Sequence, residues 1–481
     1  MTIRNIRRLA TALGLCLTAP LLAAAPQGQG PLRIEGVRLV DPARSAEAPA
    51  EDAVLVIEAG TIVYAGPATS APEVSGARVV DGEGLSAIPG LVDMHVHVWD
   101  RASLGAYLAS GITTVRNMSG MPFHLALAQR IEQGEVDGPH LLTTGPILNS
   151  PGPNQQINHQ LVGAAAEAKA AVAAQDAAGY QRIKVYSNLT REAYEAVRDE
   201  AAARGMRIAG HTPEGARAPG IPQDRPFAIG FDEIVDDGFE TIEHVESIVW
   251  HGLRDRRDPV AARRLAQRIA AAGVPVTPTL VAHRNLARVA ATDGAYARRP
   301  GTERLNPVTQ RTEAGHIAGW AARDPAPEEE AAAFYQQFVR ILDQAGVLLV
   351  AGSDAGIFTN IPGVSLHDEF DLLAEAGFSP VQIITMATHN AAVAVGQGKQ
   401  SGCLASDCIA DIVFYACNPL SDVTCLRHPE AVVRSGRWLS RERLAELDAA
   451  ASQHDPGRTI ANLVEGMAAQ GTPIDPAMLG Q

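Results

Sequence analysis

The chain has 481 residues, 46% of them hydrophobic and 20% charged, which is the composition of an ordinary globular protein. That length admits one large α/β barrel with an accessory domain, or two to three smaller domains. A formal net charge of −14 argues against nucleic acid or an anionic membrane surface as a partner.

The first 25 residues stand apart. Arg4, Arg7 and Arg8 precede an apolar run over residues 9–22, and Ala23-Ala24-Ala25 follows before Pro26. A basic start, an apolar middle and small residues at the exit form a cleavable secretory signal, and so predict a secreted or periplasmic protein. The run falls short of the roughly 20 residues that span a bilayer, so stable membrane insertion is not expected. Cys16 follows Leu15, where a lipoprotein signal would carry a small residue. Without its three arginines the formal charge moves to −17.

Residues 26–86 read as the first part of a small β-domain, with β-rich runs at 33–39, 53–58 and 61–64 between Gly and Pro turns. Residues 87–98, Ala-Ile-Pro-Gly-Leu-Val-Asp-Met-His-Val-His-Val, are apolar and β-branched and predict a buried strand. Side chains alternate along a strand, so His95 and His97 share one face. Two buried imidazoles are costly unless their nitrogens are bound. Either hydrogen bonds satisfy them as core residues, or a divalent metal such as zinc does.

From there strands and helices alternate. Further strands are predicted at 111–117, 141–147, 182–187, 206–211, 241–245, 274–280 and 347–354, with Ala-, Glu- and Arg-rich helices such as 164–178 and 190–203 between them. Eight strand–helix units make residues 87–400 a (β/α)8 TIM barrel. The 66 residues between strands seven and eight hold an insertion, 281–333, which at the C-terminal face would overhang an active site. Residues 401–440 return to short β runs and complete a β-sandwich domain built from both chain ends. Residues 441–481 read as a helical tail.

On these strands lie His95, His97, Lys184, His211, His244 and Asp354, each in apolar or small surroundings and near a strand's C-terminal end. That is the face on which barrel enzymes carry catalysis. Lys184 is the most informative. The chain has 37 arginines and three lysines, and Lys184 is the lysine inside an apolar strand. A buried lysine favours the neutral amine. Such an amine can add carbon dioxide and become a carbamate that bridges two metals, or it can simply pair with Asp354 or a substrate carboxylate.

Four cysteines remain after the signal, with four, eight and seven residues between them. An even number in an exported chain favours disulfides, Cys403 with Cys408 and Cys417 with Cys425, although four cysteines allow three pairings. A four-thiolate zinc site is the rival, but its usual spacing of two intervening residues is missing.

The strings Gly-Leu-Val-Asp-Met-His-Val-His (90–97), Ile-Glu-His (242–244), Ala-Gly-Ser-Asp-Ala-Gly (351–356) and Ala-Thr-His-Asn-Ala-Ala (387–392) resemble the amidohydrolase superfamily. The nearest branch is that of the prolidase-like and imidazolonepropionase-related hydrolases. The resemblance implies His95 and His97 on a first metal, His211 and His244 on a second, and carbamylated Lys184 between them. Asp354 becomes both a ligand and the proton carrier. Arg116 is followed by Asn117, where many relatives carry an acidic residue. The implied activity is hydrolysis of an amide in a dipeptide, an Xaa-Pro-like peptide or an N-acyl amino acid, with two divalent ions, zinc first among them.

The alternatives are a mononuclear cyclic-amide hydrolase or deaminase with Lys184 as a plain amine, and a non-catalytic binding protein. For substrate, Tyr186 shares the inward face of Lys184, and Arg116 could clamp a carboxylate. His159 lies in the Gly- and Asn-rich loop 149–160, either on a lid or as an exposed loop residue. A homo-oligomer is compatible with all of this.

Overall fold

The computed structural model describes residues 30–44, 49–215, 220–475 and 479. The segment read as a secretory signal lies outside the described residues. Strands Leu32–Leu39, Ala50–Glu58 and Thr61–Pro67 form an antiparallel meander. Ser86–Pro89 runs parallel beside the first of them and antiparallel to Ile412–Tyr415, which leads on to Ala431–Arg434 and Arg437–Ser440. Both ends of the chain therefore share one eight-stranded sheet. Alternation divides its two faces: Ile412 and Phe414 join a small core with Leu55 and Ile57, while Val413 and Tyr415 pack on the barrel. Disulfides join Cys403 to Cys408 and Cys417 to Cys425 in this part of the chain.

The apolar stretch 87–98 is divided between the two domains. Ser86–Pro89 belongs to the small sheet and Leu91–Val96 is the first barrel strand. Gly90 stands at the crossing, where a β-carbon would come within 2.0 Å of Thr113 Oγ1. Only glycine fits that approach.

Leu91–Val96, Ile112–Asn117 and His140–Thr143 pair in parallel. Ile147–Asn149, Arg182–Val185, Arg207–Gly210, Thr241–Glu243 and Val276–Thr277 continue the parallel order. The predicted third strand is thus two pieces, one pairing with strand two and the other with strand four. Pro146, which has no N–H to donate, lies between them. The predicted eighth strand, 347–354, forms only isolated bridges, at Leu349 and Ala355, yet its hydrogen bonds on both sides close the ring. Val350 N–H donates to Val276 O at 3.0 Å, Met94 N–H to Ala351 O at 3.0 Å and Asp354 N–H to His95 O at 2.8 Å.

Ala165–Ala178 and Arg191–Arg204 are outer helices, the second capped by the Thr190 hydroxyl, which accepts from Ala193 N–H. The insertion is helical: Leu280–Ala291, Pro307–Ala321 and the start of Pro325–Gln344. Asn306 and Asp324 cap the last two helices, each with proline in the first turn. Arg441–Ala450 and Pro456–Ala469 form the tail and pack on the barrel's helices. No helix among the described residues is long and apolar enough to cross a membrane.

His140 ties the barrel to the small sheet, 2.8 Å from Glu132 and 3.0 Å from Asp411. Burial alone would lower its pKa, but Asp411 and Glu132 outweigh burial and raise it to about 9. A raised histidine contributes stability in full below its unfolded value of about 6.5, and loses it as pH rises through the folded value. The midpoint of thermal unfolding is expected to drop by several degrees between about pH 7 and pH 10, with a smaller drop in His140→Gln. Equal drops in the two proteins would remove His140 from the junction's stability.

Candidate metal centre

The C-terminal ends of the strands bring the predicted donors together. His97 Nε2 lies 3.0 Å from Asp354 Oδ1, and His95 Nε2 lies 3.4 Å from the same oxygen. Ligand atoms of these three residues all fall within 4.8 Å of one another. The His95 ring is 4.5 Å from that of His244, which is 4.6 Å from that of His211. Lys184 Nζ is 3.4 Å from His95 Nε2. Three residues at or next to the site have left-handed backbone, His244 at φ 67°, Thr279 at 47° and Asp354 at 56°. Such conformations persist only where surrounding contacts enforce them.

Each imidazole is held from behind. His95 Nδ1 is 2.7 Å from Glu243 Oε2, His97 Nδ1 is 2.9 Å from Ser119, His211 Nδ1 is 3.0 Å from Ser247, and His244 Nδ1 is 2.7 Å from Thr279. This leaves Nε2 of every ring as the ligand atom, the arrangement that orients histidines on metals. A neutral imidazole set with one carboxylate and one buried amine therefore fits divalent cations. Asp93 ties strand one to strand eight by accepting from Ser353 N–H at 3.0 Å.

Glu243 was not singled out from sequence. Strict alternation turns it away from His244, but the left-handed backbone at His244 lets both residues reach the site. Its two oxygens meet His95, Arg116 and Thr241. Glu243→Gln is expected to weaken metal affinity about 10- to 100-fold, as read by chelator competition. Unchanged affinity would make the contact incidental.

Burial pushes the pKa of His95 and His211 well below the usual value and that of His244 down to about 4. All three imidazoles are then neutral, as metal ligation requires. Burial also lowers Lys184 to about 8, which leaves most of the amine protonated at pH 7 but makes the uncharged form far more accessible than in a free lysine. At Asp354 burial acts upward, but the His97 hydrogen bond, joined in acid by the charge the histidines then take up, prevails and holds the carboxyl well below its usual range.

These groups form the floor of a cavity of about 640 Å³. Tyr186 lines it, its ring 4.1 Å from that of His211. The loop 149–160 contributes Pro153, Asn154, Gln155 and Gln156 to the wall, and the insertion contributes His283, His316 and Trp320. Glu214 and Glu246, neither identified from sequence, line it too.

Two predicted substrate contacts do not reach the cavity wall. Arg116 is fully buried below the metal residues, where Glu240 and Glu243 hold its guanidinium at 3.1 and 2.7 Å. His159 is neither on a lid nor an exposed loop residue. It is buried behind Tyr186, ring to ring at 4.6 Å, in a short strand pairing with Ile147–Asn149. Asn117, the neutral departure, accepts from Val98 N–H at 2.9 Å and so shapes the turn after His97.

A barrel with imidazole, amine and carboxylate donors at this end defines the class of metal-dependent barrel enzymes. The chain belongs to the amidohydrolase family, which it matches over residues 86–439. This is a family of hydrolases acting on carbon–nitrogen bonds. Among solved structures, a bottromycin amidohydrolase is 24% identical over 92% of this chain and 95% of its own, with a TM-score of 0.70. A prolidase complexed with N-methylphosphonate-L-proline is 21% identical over 86% of this chain and all of its own, with a TM-score of 0.65. Likeness at that level shows the fold.

Matches to curated proteins are short. A 5-methylthioadenosine/S-adenosylhomocysteine deaminase of Symbiobacterium thermophilum is 49% identical over 47 residues, 10% of this chain and 11% of that protein. A dihydroorotase of Geobacter sulfurreducens is 42% identical over 69 residues, 14% of this chain and 15% of that protein.

Proposed function

We propose that this protein is an exported hydrolase that cleaves an amide bond in a dipeptide, an Xaa-Pro-like peptide or an N-acyl amino acid. The observation that carries the reading is the convergence of His95, His97, Lys184, His211, His244 and Asp354 on one cavity floor. Prolidases and a Xaa-Pro dipeptidase among the structures of like fold support the substrate class. Export rests on the first 25 residues.

His95 and His97 would hold one divalent ion, His211 and His244 a second, with zinc the natural choice and Lys184, carbamylated by carbon dioxide, between them. Bound there, the cations supply Lewis acidity toward the amide carbonyl and bring the pKa of water toward neutrality. Asp354, ionised beside them, takes the proton of the attacking water and passes it to the leaving nitrogen. Tyr186 orients the substrate's polar end from the wall. The loop 149–160 and the insertion limit bulk water around the reacting bond.

Metal content with turnover tests this. About two equivalents per chain, chelator-sensitive cleavage of a dipeptide and N-acyl amino acid panel, and one equivalent or none in Lys184→Ala are expected. One equivalent in both proteins would favour the mononuclear cyclic-amide hydrolase or deaminase. The compact His95–His97–Asp354 group, within 4.8 Å, supports that second reading.

A further inference from the structure

Several charged groups around the cavity are engaged in pairs. Glu328 meets Arg323 at 2.9 Å and His283 at 3.1 Å, and Arg257 faces Glu330 at 3.7 Å. Glu214 accepts from the Trp250 indole at 3.2 Å. Glu246 differs. Its Oε1 is 3.8 Å from His244 Nδ1, the nearest basic nitrogen among the described residues, and that nitrogen is already committed to Thr279 at 2.7 Å. His244 as a metal ligand is a neutral imidazole. Oε2 of Glu246 is buried and takes no hydrogen bond. The carboxyl thus opens on the cavity beside the metal centre with no cation from the protein to balance it.

A carboxylate oxygen with no donor on it is open to a charge-assisted hydrogen bond from a substrate cation. In an aminoacyl amide, a single carbon separates the amine from the scissile carbonyl. A carbonyl placed at the metal residues therefore keeps its α-ammonium inside the cavity that Glu246 lines. We infer that Glu246 selects substrates with a free α-ammonium group next to the scissile carbonyl, that is, dipeptides over N-acylated amino acids. This rests on the amide-hydrolase reading and narrows its substrate class. The rival role follows from position: Glu246 sits in the first turn of Val245–Gly252, where a negative charge complements the helix dipole. That role acts on the fold and is blind to the substrate's amine.

The test compares metal-loaded wild type and Glu246→Gln on a leucyl dipeptide and its N-acetyl derivative. Calorimetry of the corresponding phosphinic isostere, amine free or acetylated, runs alongside. Wild type is expected to favour the free amine by about tenfold or more, in kcat/KM and in affinity, and the variant to lose most of that preference. No preference in wild type, or equal losses on both substrates in the variant, overturns the inference. If neither substrate is cleaved but the isostere still binds tighter through its amine in a Glu246-dependent way, amine selection stands and the amide-hydrolase reading falls.

Discussion

Asp354→Asn is expected to lower kcat by about two to four orders of magnitude, the usual worth of a positioned proton-transfer group. The replacement is close to isosteric, and asparagine tolerates the left-handed backbone that Asp354 adopts at φ 56°. Its amide still reaches His97 across 3.0 Å, but it can neither take nor return a proton. The wild-type carboxyl is suited to the role because the hydrogen bond from His97 keeps it ionised despite burial. Kcat on the best amide of the panel, with metal content in parallel, separates lost chemistry from lost metal. A variant that keeps its metal and works within tenfold of wild type would remove Asp354 from proton transfer.

Arg116→Met is expected to be the most destabilising of the substitutions considered, by roughly 3–5 kcal/mol, because it breaks a buried ion network from one side. Arg116 donates to Met94 O at 2.8 Å, Glu240 at 3.1 Å, Thr241 at 2.7 Å and Glu243 at 2.7 Å. Burial alone would raise the pKa of Glu240, but Arg182 and Arg116 outweigh it and keep the carboxyl below its usual range. Removing Arg116 leaves Glu243, and through it His95, with less positive charge nearby. Denaturant unfolding checks the cost. Arg443→Ala, at a half-exposed pair with Asp137, should barely move the midpoint. Similar midpoints for the two variants would show that the buried network adds no more than a surface pair.

The two outcomes for Arg116 and Glu243 show where sequence reading stopped. Alternation on an ideal strand assigns each side chain a face, and that rule placed His95 and His97 together. It fails where the backbone turns left-handed, as at His244, and there Glu243 entered the site unannounced. Arg116 has the right residue type for a carboxylate clamp. What it contacts lies 124 to 127 residues further along the chain, beyond any local pattern. His159 and Glu246 teach the same lesson: nothing near them in sequence states that one backs Tyr186 or that the other lacks a cation.

What the sequence determined by itself was local: apolar β-branched runs bounded by Gly and Pro, Ala- and Glu-rich helices between them, and imidazole, amine and carboxylate groups near the strands' ends. Those patterns arise from backbone preference and burial over a few residues, and they sufficed for a barrel and its donors. Only the tertiary structure decided how the first strand is shared between two domains, where the third breaks, which carboxylate and hydroxyls back the histidines and which groups of the insertion wall the cavity. These depend on ring closure and on ion pairs between distant strands, whose energies exist only once the chain has come together.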